Sequence, residues 1–98
     1  MLTGKQRAAL RTMANTLTPI FQIGKAGITE NVIEQLDLAI EARELIKITV
    51  LESANLSARE AGDELAKSLR AEPVQSIGRK VVLYRRNREK PTIELPKK

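Results

Sequence analysis

PIFQIGKAGITENVIEQLDLAI, residues 19–40, is the stretch that decides the fold, because it reads as a strand, a tight loop and a helix in direct succession. Its first five residues are mainly apolar and β-branched, which is typical of a buried strand. Gly24 and Gly27 interrupt this strand. Thr29 can then cap a helix, whose apolar residues recur at steps of three and four as far as about Arg43.

Two more helices are predicted from capping boxes, in which a hydroxyl and a polar side chain three residues later satisfy free backbone N–H groups at a helix start. One box is Thr3-Gly4-Lys5-Gln6 and the other is Ser57-Ala58-Arg59-Glu60. Apolar residues at helical spacing follow both boxes. The first helix is therefore expected over about residues 4–16, and the third as far as about Arg70.

Three further strands complete the predicted order. Residues 45–51, LIKITVL, alternate well enough between apolar and polar side chains to indicate a strand. Two short segments, VQSI (74–77) and VVLY (81–84), flank Gly78-Arg79-Lys80 and predict a hairpin, because glycine can adopt the positive φ that such a turn often needs. The order α-β-α-β-α-β-β, with two right-handed β-α-β crossovers and a hairpin, predicts an α/β fold with a mixed four-stranded sheet and packed helices.

The chain of 98 residues has room for one core, so residues 1–86 are expected to form a single domain. Residues 87–98 contain two prolines and alternating charges but no core-forming pattern, which favours a basic and largely mobile C-terminal tail. Ile93 and Leu95 are the apolar side chains of this tail that could dock on the domain.

The composition excludes several kinds of site. The chain has a net charge of +5 and neither histidine nor cysteine, which removes histidine bases, thiol nucleophiles, disulfides and the usual zinc sites. Phe21 and Tyr84 are its two aromatic residues, so a platform that stacks the bases of a single strand is not expected. No apolar run is long enough to cross a membrane. We therefore expect a cytoplasmic protein, monomeric rather than oligomeric, without catalytic residues, metal, cofactor or membrane association.

Acidic side chains recur at steps of three and four along the second predicted helix and so make one stripe. They are Glu30, Glu34, Asp37, Glu41 and Glu44. Solvent would relieve the repulsion within such an exposed stripe, so it is a poor place for a tuned acid–base pair. A polyanion is expected to avoid this face.

The loop Gly24-Lys25-Ala26-Gly27 is the candidate contact for nucleic acid. Two glycines around two residues allow a tight turn and a close backbone approach, as in the equivalent loop of KH domains, which clamps a nucleic-acid backbone. The loop leads into a helix start whose free N–H groups favour a phosphate, and Lys25 adds a cation. The same four residues are also compatible with a simple strand-to-helix turn.

Basic side chains form three further groups that a polyanion could contact. They are Arg7 and Arg11 in the first helix, Arg79 and Lys80 at the hairpin, and Arg85, Arg86 and Arg88 after the last strand. Any one of these groups by itself is more often ordinary solvated surface. Because the acidic stripe repels a polyanion, phosphates are expected at the loop end of the second helix and at the basic groups beside it.

Three ordered segments, TGKQRAALR (3–11), PIFQIGKAGITENVIEQLDLAIEARELIKITV (19–50) and VQSIGRKVVLYRR (74–86), carry a family resemblance. Together they resemble the CRM domain, the chloroplast RNA splicing and ribosome maturation domain, in its free-standing bacterial YhbY-type form. The resemblance implies a fold similar to the C-terminal domain of translation initiation factor three. It also implies RNA binding and association with precursors of the large ribosomal subunit.

Carried over by position, the family's glycine loop is Gly24-Lys25-Ala26-Gly27 and its strand-end motif is Tyr84-Arg85. Asn15 and Arg43 stand where family members often have histidine. The leading hypothesis is a non-catalytic protein that binds ribosomal RNA and assists assembly of the large subunit. One alternative is a general RNA chaperone or translation-associated factor. Another is a docking module whose acidic stripe binds a basic ribosomal or assembly protein.

Overall fold

The computed structural model describes residues 2–97 and contains three helices and one four-stranded sheet. In chain order the elements are α1 (Gly4–Ala14), β1 (Phe21–Ile23), α2 (Glu30–Arg43), β2 (Leu45–Val50), α3 (Ala58–Leu69), β3 (Glu72–Ile77) and β4 (Lys80–Tyr84). A short 3₁₀ turn at Glu52–Ala54 lies between β2 and α3. This order confirms the predicted α/β class and its succession of elements.

All three helices begin where the sequence predicts. The Thr3 hydroxyl accepts from the backbone N–H of Gln6, and the Gln6 side chain accepts from Thr3 N–H, both at 3.1 Å. Ser57 and Glu60 make the same reciprocal pair at 3.0 Å. Thr29 caps α2. Each cap satisfies backbone donors that a helix start leaves free, which fixes the starting residue.

The strands lie in the order β1-β2-β4-β3. β1 is parallel to β2, whereas β4 runs antiparallel to both of its neighbours. The sheet is therefore mixed, as predicted. Both of its edge strands are interrupted or short: β1 has three residues, and the register of β3 shifts between Pro73 and Gln75.

Helices cover both faces of the sheet. On one face, α2 and α3 pack against β2 and β4 through a large buried cluster that includes Leu36, Ile40, Leu65, Ile48 and Val81. On the other face, α1 packs Leu10 and Ala14 onto a smaller cluster built from Leu45, Val74, Val82 and Tyr84. Each fully buried leucine or isoleucine stabilises the fold by about 1.5–3 kcal/mol. Apart from Tyr84, these buried side chains are aliphatic, in keeping with the composition.

The described residues of the C-terminal tail lie against the domain, and the mobility of this segment stays a prediction. Ile93 and Leu95 pack on the α1-side cluster, as the sequence allowed. The side chain of Gln6 donates to the backbone carbonyl of Pro96 at 3.0 Å. Glu44 holds the tail through hydrogen bonds. Because Glu44 lies outside residues 87–98, the sequence of the tail does not reveal this contact.

Glu44 corrects the predicted acidic stripe. α2 ends at Arg43, and Glu44 reverses the chain with φ +66° and only 1% of its surface exposed. Its carboxylate accepts hydrogen bonds from the backbone N–H groups of Asn87 (2.8 Å), Thr92 (2.7 Å) and Ile93 (2.9 Å), and from the Thr92 hydroxyl (2.7 Å). The helical spacing stops one residue before Glu44, so this side chain points into the protein and not along the stripe.

Burial by itself raises the pKa of the Glu44 carboxyl, because it removes water from the charged form. The hydrogen bonds from Thr92, Asn87 and Ile93 outweigh this effect and lower the pKa from 4.5 to about 2. Glu44 is therefore a buried anion that orders the tail.

Candidate nucleic-acid interface

The glycine loop is a tight turn between β1 and α2. The N–H of Gly27 donates to the carbonyl of Gly24 at 2.9 Å, and Lys25 and Ala26 are exposed at the tip. Gly27 has φ +72°, a conformation that side chains other than glycine rarely adopt. The space where its side chain would lie is open. The turn thus requires glycine at 27, and within residues 2–97 the space beside this glycine is open to a ligand.

Backbone hydrogen bonds bring three chain segments to the same end of the sheet. Leu51 N–H donates to Ile23 O at 2.9 Å, which joins the end of β2 to the start of the loop. Val50 N–H donates to Arg79 O at 2.8 Å, which joins the end of β2 to the hairpin tip. The loop and the hairpin therefore lie at this end, called the loop end below. Of the predicted basic groups, the hairpin pair lies here with the loop.

The sequence suggests that Arg79 presents a free guanidinium at the hairpin tip, but the structure shows its donors in use within the fold. Its Nε donates to Val50 O at 2.7 Å, and its Nη2 donates to Leu51 O at 2.7 Å and Leu56 O at 3.0 Å. Val50 is the last residue of β2, and Leu51 and Leu56 lie in the connection between β2 and α3. Arg79 therefore holds the β2–α3 connection against the hairpin, and its role as an RNA contact stays a prediction.

Arg85 is also used by the fold. Its Nη1 donates to Asp37 Oδ1 at 2.7 Å and to Leu69 O at 2.8 Å, and its Nη2 donates to Glu41 Oε2 at 2.9 Å. Its side chain is 19% exposed. A guanidinium suits this position because its fork of donors can serve two carboxylates and a helix-end carbonyl together. Arg85 partly neutralises two members of the acidic stripe, and its role as an RNA contact stays a prediction.

Of the remaining predicted arginines, Arg7 and Arg11 lie on α1, and Arg86 follows β4. Arg7 lies beside Val74 and Gln75, and its Nε is buried without a hydrogen-bond partner in the part of the chain that the structure describes. Arg11 is half-buried on the same helix. Arg86 is exposed and lies near Tyr84, at the end of the sheet opposite the loop end. The ten predicted residues therefore do not form one continuous patch.

Lys47 is a further cation, which does not belong to the three basic groups predicted from the sequence. The register pairs Lys47 with Val82, and Val82 is two residues from Lys80 on the same strand, so Lys47 and Lys80 share the α1 face of the sheet. The alternation of residues 45–51 indicated that Lys47 points away from its isoleucine neighbours. It could not indicate which strand lies beside it, because register depends on pairing partners elsewhere in the chain.

Metal-ligand groups and membrane-spanning helices are absent from residues 2–97. No group of three His, Cys, Asp or Glu side chains there could hold a metal ion. No helix in that range has the length and apolar character needed to cross a membrane.

Comparisons with known proteins agree with one another. The model of the CRS1 / YhbY (CRM) domain matches residues 2–85. The chain is 48% identical over 96 residues to a Bacillus subtilis protein named probable RNA-binding protein YqeI, covering 98% of this chain and 100% of that protein. It is 33% identical over 97 residues to a Haemophilus influenzae protein named RNA-binding protein, covering 99% and 97%. The solution structure of the hypothetical protein SAV1595 from Staphylococcus aureus matches with a TM-score of 0.75 and 48% identity, covering 98% of this chain and 100% of that one.

Proposed function

The chain belongs to the CRS1/YhbY (CRM) domain family, and from this premise we propose that it is a non-catalytic protein that binds ribosomal RNA in precursors of the large subunit and assists their assembly. Its relatives are named as RNA-binding proteins, which supports RNA as the ligand class. The ribosomal target and the cytoplasmic location are part of the proposal. The non-catalytic role is also part of the proposal, and it rests on a sequence without histidine or cysteine.

The observation that carries the proposal is the glycine loop at the loop end of the sheet. Its turn leaves open space at Gly27 and an exposed Lys25, and it comes just before the start of α2. Free N–H groups and the positive end of the helix dipole favour a phosphate at such a position. Lys80 lies at the same end of the sheet. Phosphate contacts of this kind position RNA and supply affinity that does not depend on sequence.

The test is the binding of the full chain to a fragment of large-subunit ribosomal RNA, measured by fluorescence anisotropy over a range of salt concentrations. Lys25→Ala should weaken binding, and it should reduce the slope of log affinity against log salt by about 0.7–0.9, because one phosphate contact is lost. Lys67→Ala is the matched control, since Lys67 is an exposed lysine of α3, on the opposite face of the sheet from Lys80. Its slope should equal that of the parent.

A binding curve that does not change with salt, or equal slopes for all three proteins, would contradict the phosphate clamp.

Crosslinking in cells followed by sequencing of the attached RNA separates the two RNA hypotheses. Reads concentrated in large-subunit ribosomal RNA support the proposal, whereas reads spread over many transcripts support a general RNA chaperone or translation-associated factor. Capture of a basic ribosomal protein that survives RNase would favour the docking alternative.

A further inference from the structure

The strand register places four side chains in one line across the whole sheet. Gln22 of β1 is opposite Thr49 of β2, Thr49 is opposite Lys80 of β4, and Lys80 is opposite Ile77 of β3. Residues directly opposite one another in a sheet point to the same face. We call these four residues the cross-sheet row. It spans about 14 Å, since neighbouring strands are about 4.8 Å apart.

The cross-sheet row lies on the α1 face but beyond the part of the sheet that α1 covers. Its neighbours Ile48 and Val81 point to the opposite face, where they pack under α2 and α3. The buried cluster beneath α1 includes Leu45, four residues before Thr49 and so about 13 Å along β2, and Val82, two residues after Lys80 and so about 7 Å along β4. None of the cross-sheet row belongs to that cluster.

The exposure of the cross-sheet row agrees with this position. Gln22 is exposed and Ile77 is 62% exposed, while Thr49 and Lys80 are half-buried. The row begins two residues before Gly24, so it adjoins the glycine loop. Lys47, two residues before Thr49, lies on the same face.

The polar side chains of this surface are free to bind a ligand. Within residues 2–97, the side chains of Gln22, Lys47, Thr49 and Lys80 make no hydrogen bond or ion pair. Arg79 and Arg85, by contrast, use their donors inside the fold. The sheet therefore presents two lysines, a hydroxyl and an amide together, without an aromatic side chain among them.

This combination suits the sugar–phosphate backbone of RNA and not its bases. Lysine binds phosphate, whereas a hydroxyl or an amide can both donate to and accept from a ribose 2′-hydroxyl. The 2′-hydroxyl is the group by which a protein distinguishes RNA from DNA, and helical RNA displays it in a wide, shallow minor groove. A surface without aromatic residues offers no stacking platform for unpaired bases.

We propose that the cross-sheet row reads the 2′-hydroxyls of a helical RNA segment, through Thr49 and Gln22, while Lys25, Lys47 and Lys80 hold its phosphates. This inference rests on the proposed RNA binding and adds to it the class of RNA and the residues that select RNA over DNA. Sequence-independent binding by the lysines would by itself accept DNA as well.

The experiment compares three hairpins of the same base sequence: RNA, RNA with 2′-O-methyl groups in the stem, and DNA. The full-length parent should prefer the unmodified RNA hairpin. The double variant Thr49→Val, Gln22→Met keeps side-chain size but removes the hydroxyl and the amide. It should lose roughly two- to tenfold of RNA affinity for each hydrogen bond removed, with little change toward DNA. Lys80→Met should instead weaken binding to all three hairpins and lower the salt slope.

The matched control is Gln35→Met with Ser68→Ala, which removes an amide and a hydroxyl from exposed positions on the helices of the opposite face. It should keep the preference of the parent. Thermal unfolding checks that each variant is folded, and Gln22→Met alone repeats the test at an exposed position.

A folded double variant that keeps the parent's preference for RNA would overturn the inference and leave the proposed function standing. Equal binding of the parent to all three hairpins would do the same. If the parent binds none of the ribosomal fragments or hairpins, both the proposed function and this inference are wrong.

Discussion

Gly27 is the residue whose replacement separates the conformation of the loop from its ligand contact. With φ at +72°, alanine is strained there, so Gly27→Ala should lower the free energy of unfolding by about 1 kcal/mol or more. It should also weaken RNA binding more than Lys25→Ala, because the added methyl group occupies the open space where a phosphate would approach. Urea unfolding and anisotropy measure the two effects separately.

Gly24→Ala is the matched control for stability. A methyl group at Gly24 would meet Leu51 and Ser53 at the ordinary contact distances of 3.6 and 3.7 Å, and no positive φ strains it. Its free energy of unfolding should stay close to that of the parent. If both alanine variants bind RNA as the parent does while remaining folded, the loop is only a turn.

The junction between α2 and β2 makes the fold sensitive to acid. The folded-state pKa of Glu44 is about 2, below its ordinary value of 4.5, so the native state favours the ionised form. Its contribution to stability is fully present above about pH 4.5 and is lost as the pH falls toward 2. The pKa difference corresponds to an upper limit of about 3 kcal/mol. Urea unfolding at several pH values should show this loss in the parent.

Glu44→Gln should be less stable than the parent at neutral pH, by about 1–3 kcal/mol, because an amide can accept only part of the four hydrogen bonds. Its stability should also depend less on pH between about 4.5 and 2. Glu94→Gln, at an exposed position of the same tail, is the control. A Glu44→Gln profile parallel to that of the parent would mean that other carboxyls cause the acid sensitivity.

At the scale of the whole molecule, the tail and the loop occupy opposite ends of the sheet. The tail reaches Glu44, Gln6 and the cluster that holds Tyr84, whereas the loop adjoins the ends of β1 and β2. A chain that stops after Arg86 should therefore be less stable by about 1–3 kcal/mol, because Glu44 loses its donors. Below its unfolding temperature it should keep the salt slope of RNA binding.

The control for this truncation is a chain that stops after Pro96, which retains every donor to Glu44 and the Gln6–Pro96 contact. Its stability and salt slope should equal those of the parent. A shorter chain with unchanged unfolding would support the mobile tail that the sequence pattern favours. A smaller slope of log affinity against log salt after the same deletion would indicate that the basic side chains of the tail contact RNA.

Local chemistry made most of the fold predictable, whereas the candidate site depends on pairing between distant residues. Thr3, Thr29 and Ser57 mark helix starts through bonds made within three residues, so their signals are complete in a short window. Arg79 and Lys25 look alike in sequence, yet Arg79 meets carbonyls more than twenty residues away. Only the tertiary fold decides which of the two remains free.

The two edges of the sheet have a consequence for how copies of this chain meet at high concentration. An exposed strand recruits another strand when it offers a long, regular series of unpaired N–H and C=O groups. β1 offers only three residues, and in β3 Pro73 has no N–H and the register shifts beside it. Neither edge is a good template for intermolecular sheet growth, so fibril formation and strand exchange are disfavoured while the domain stays folded.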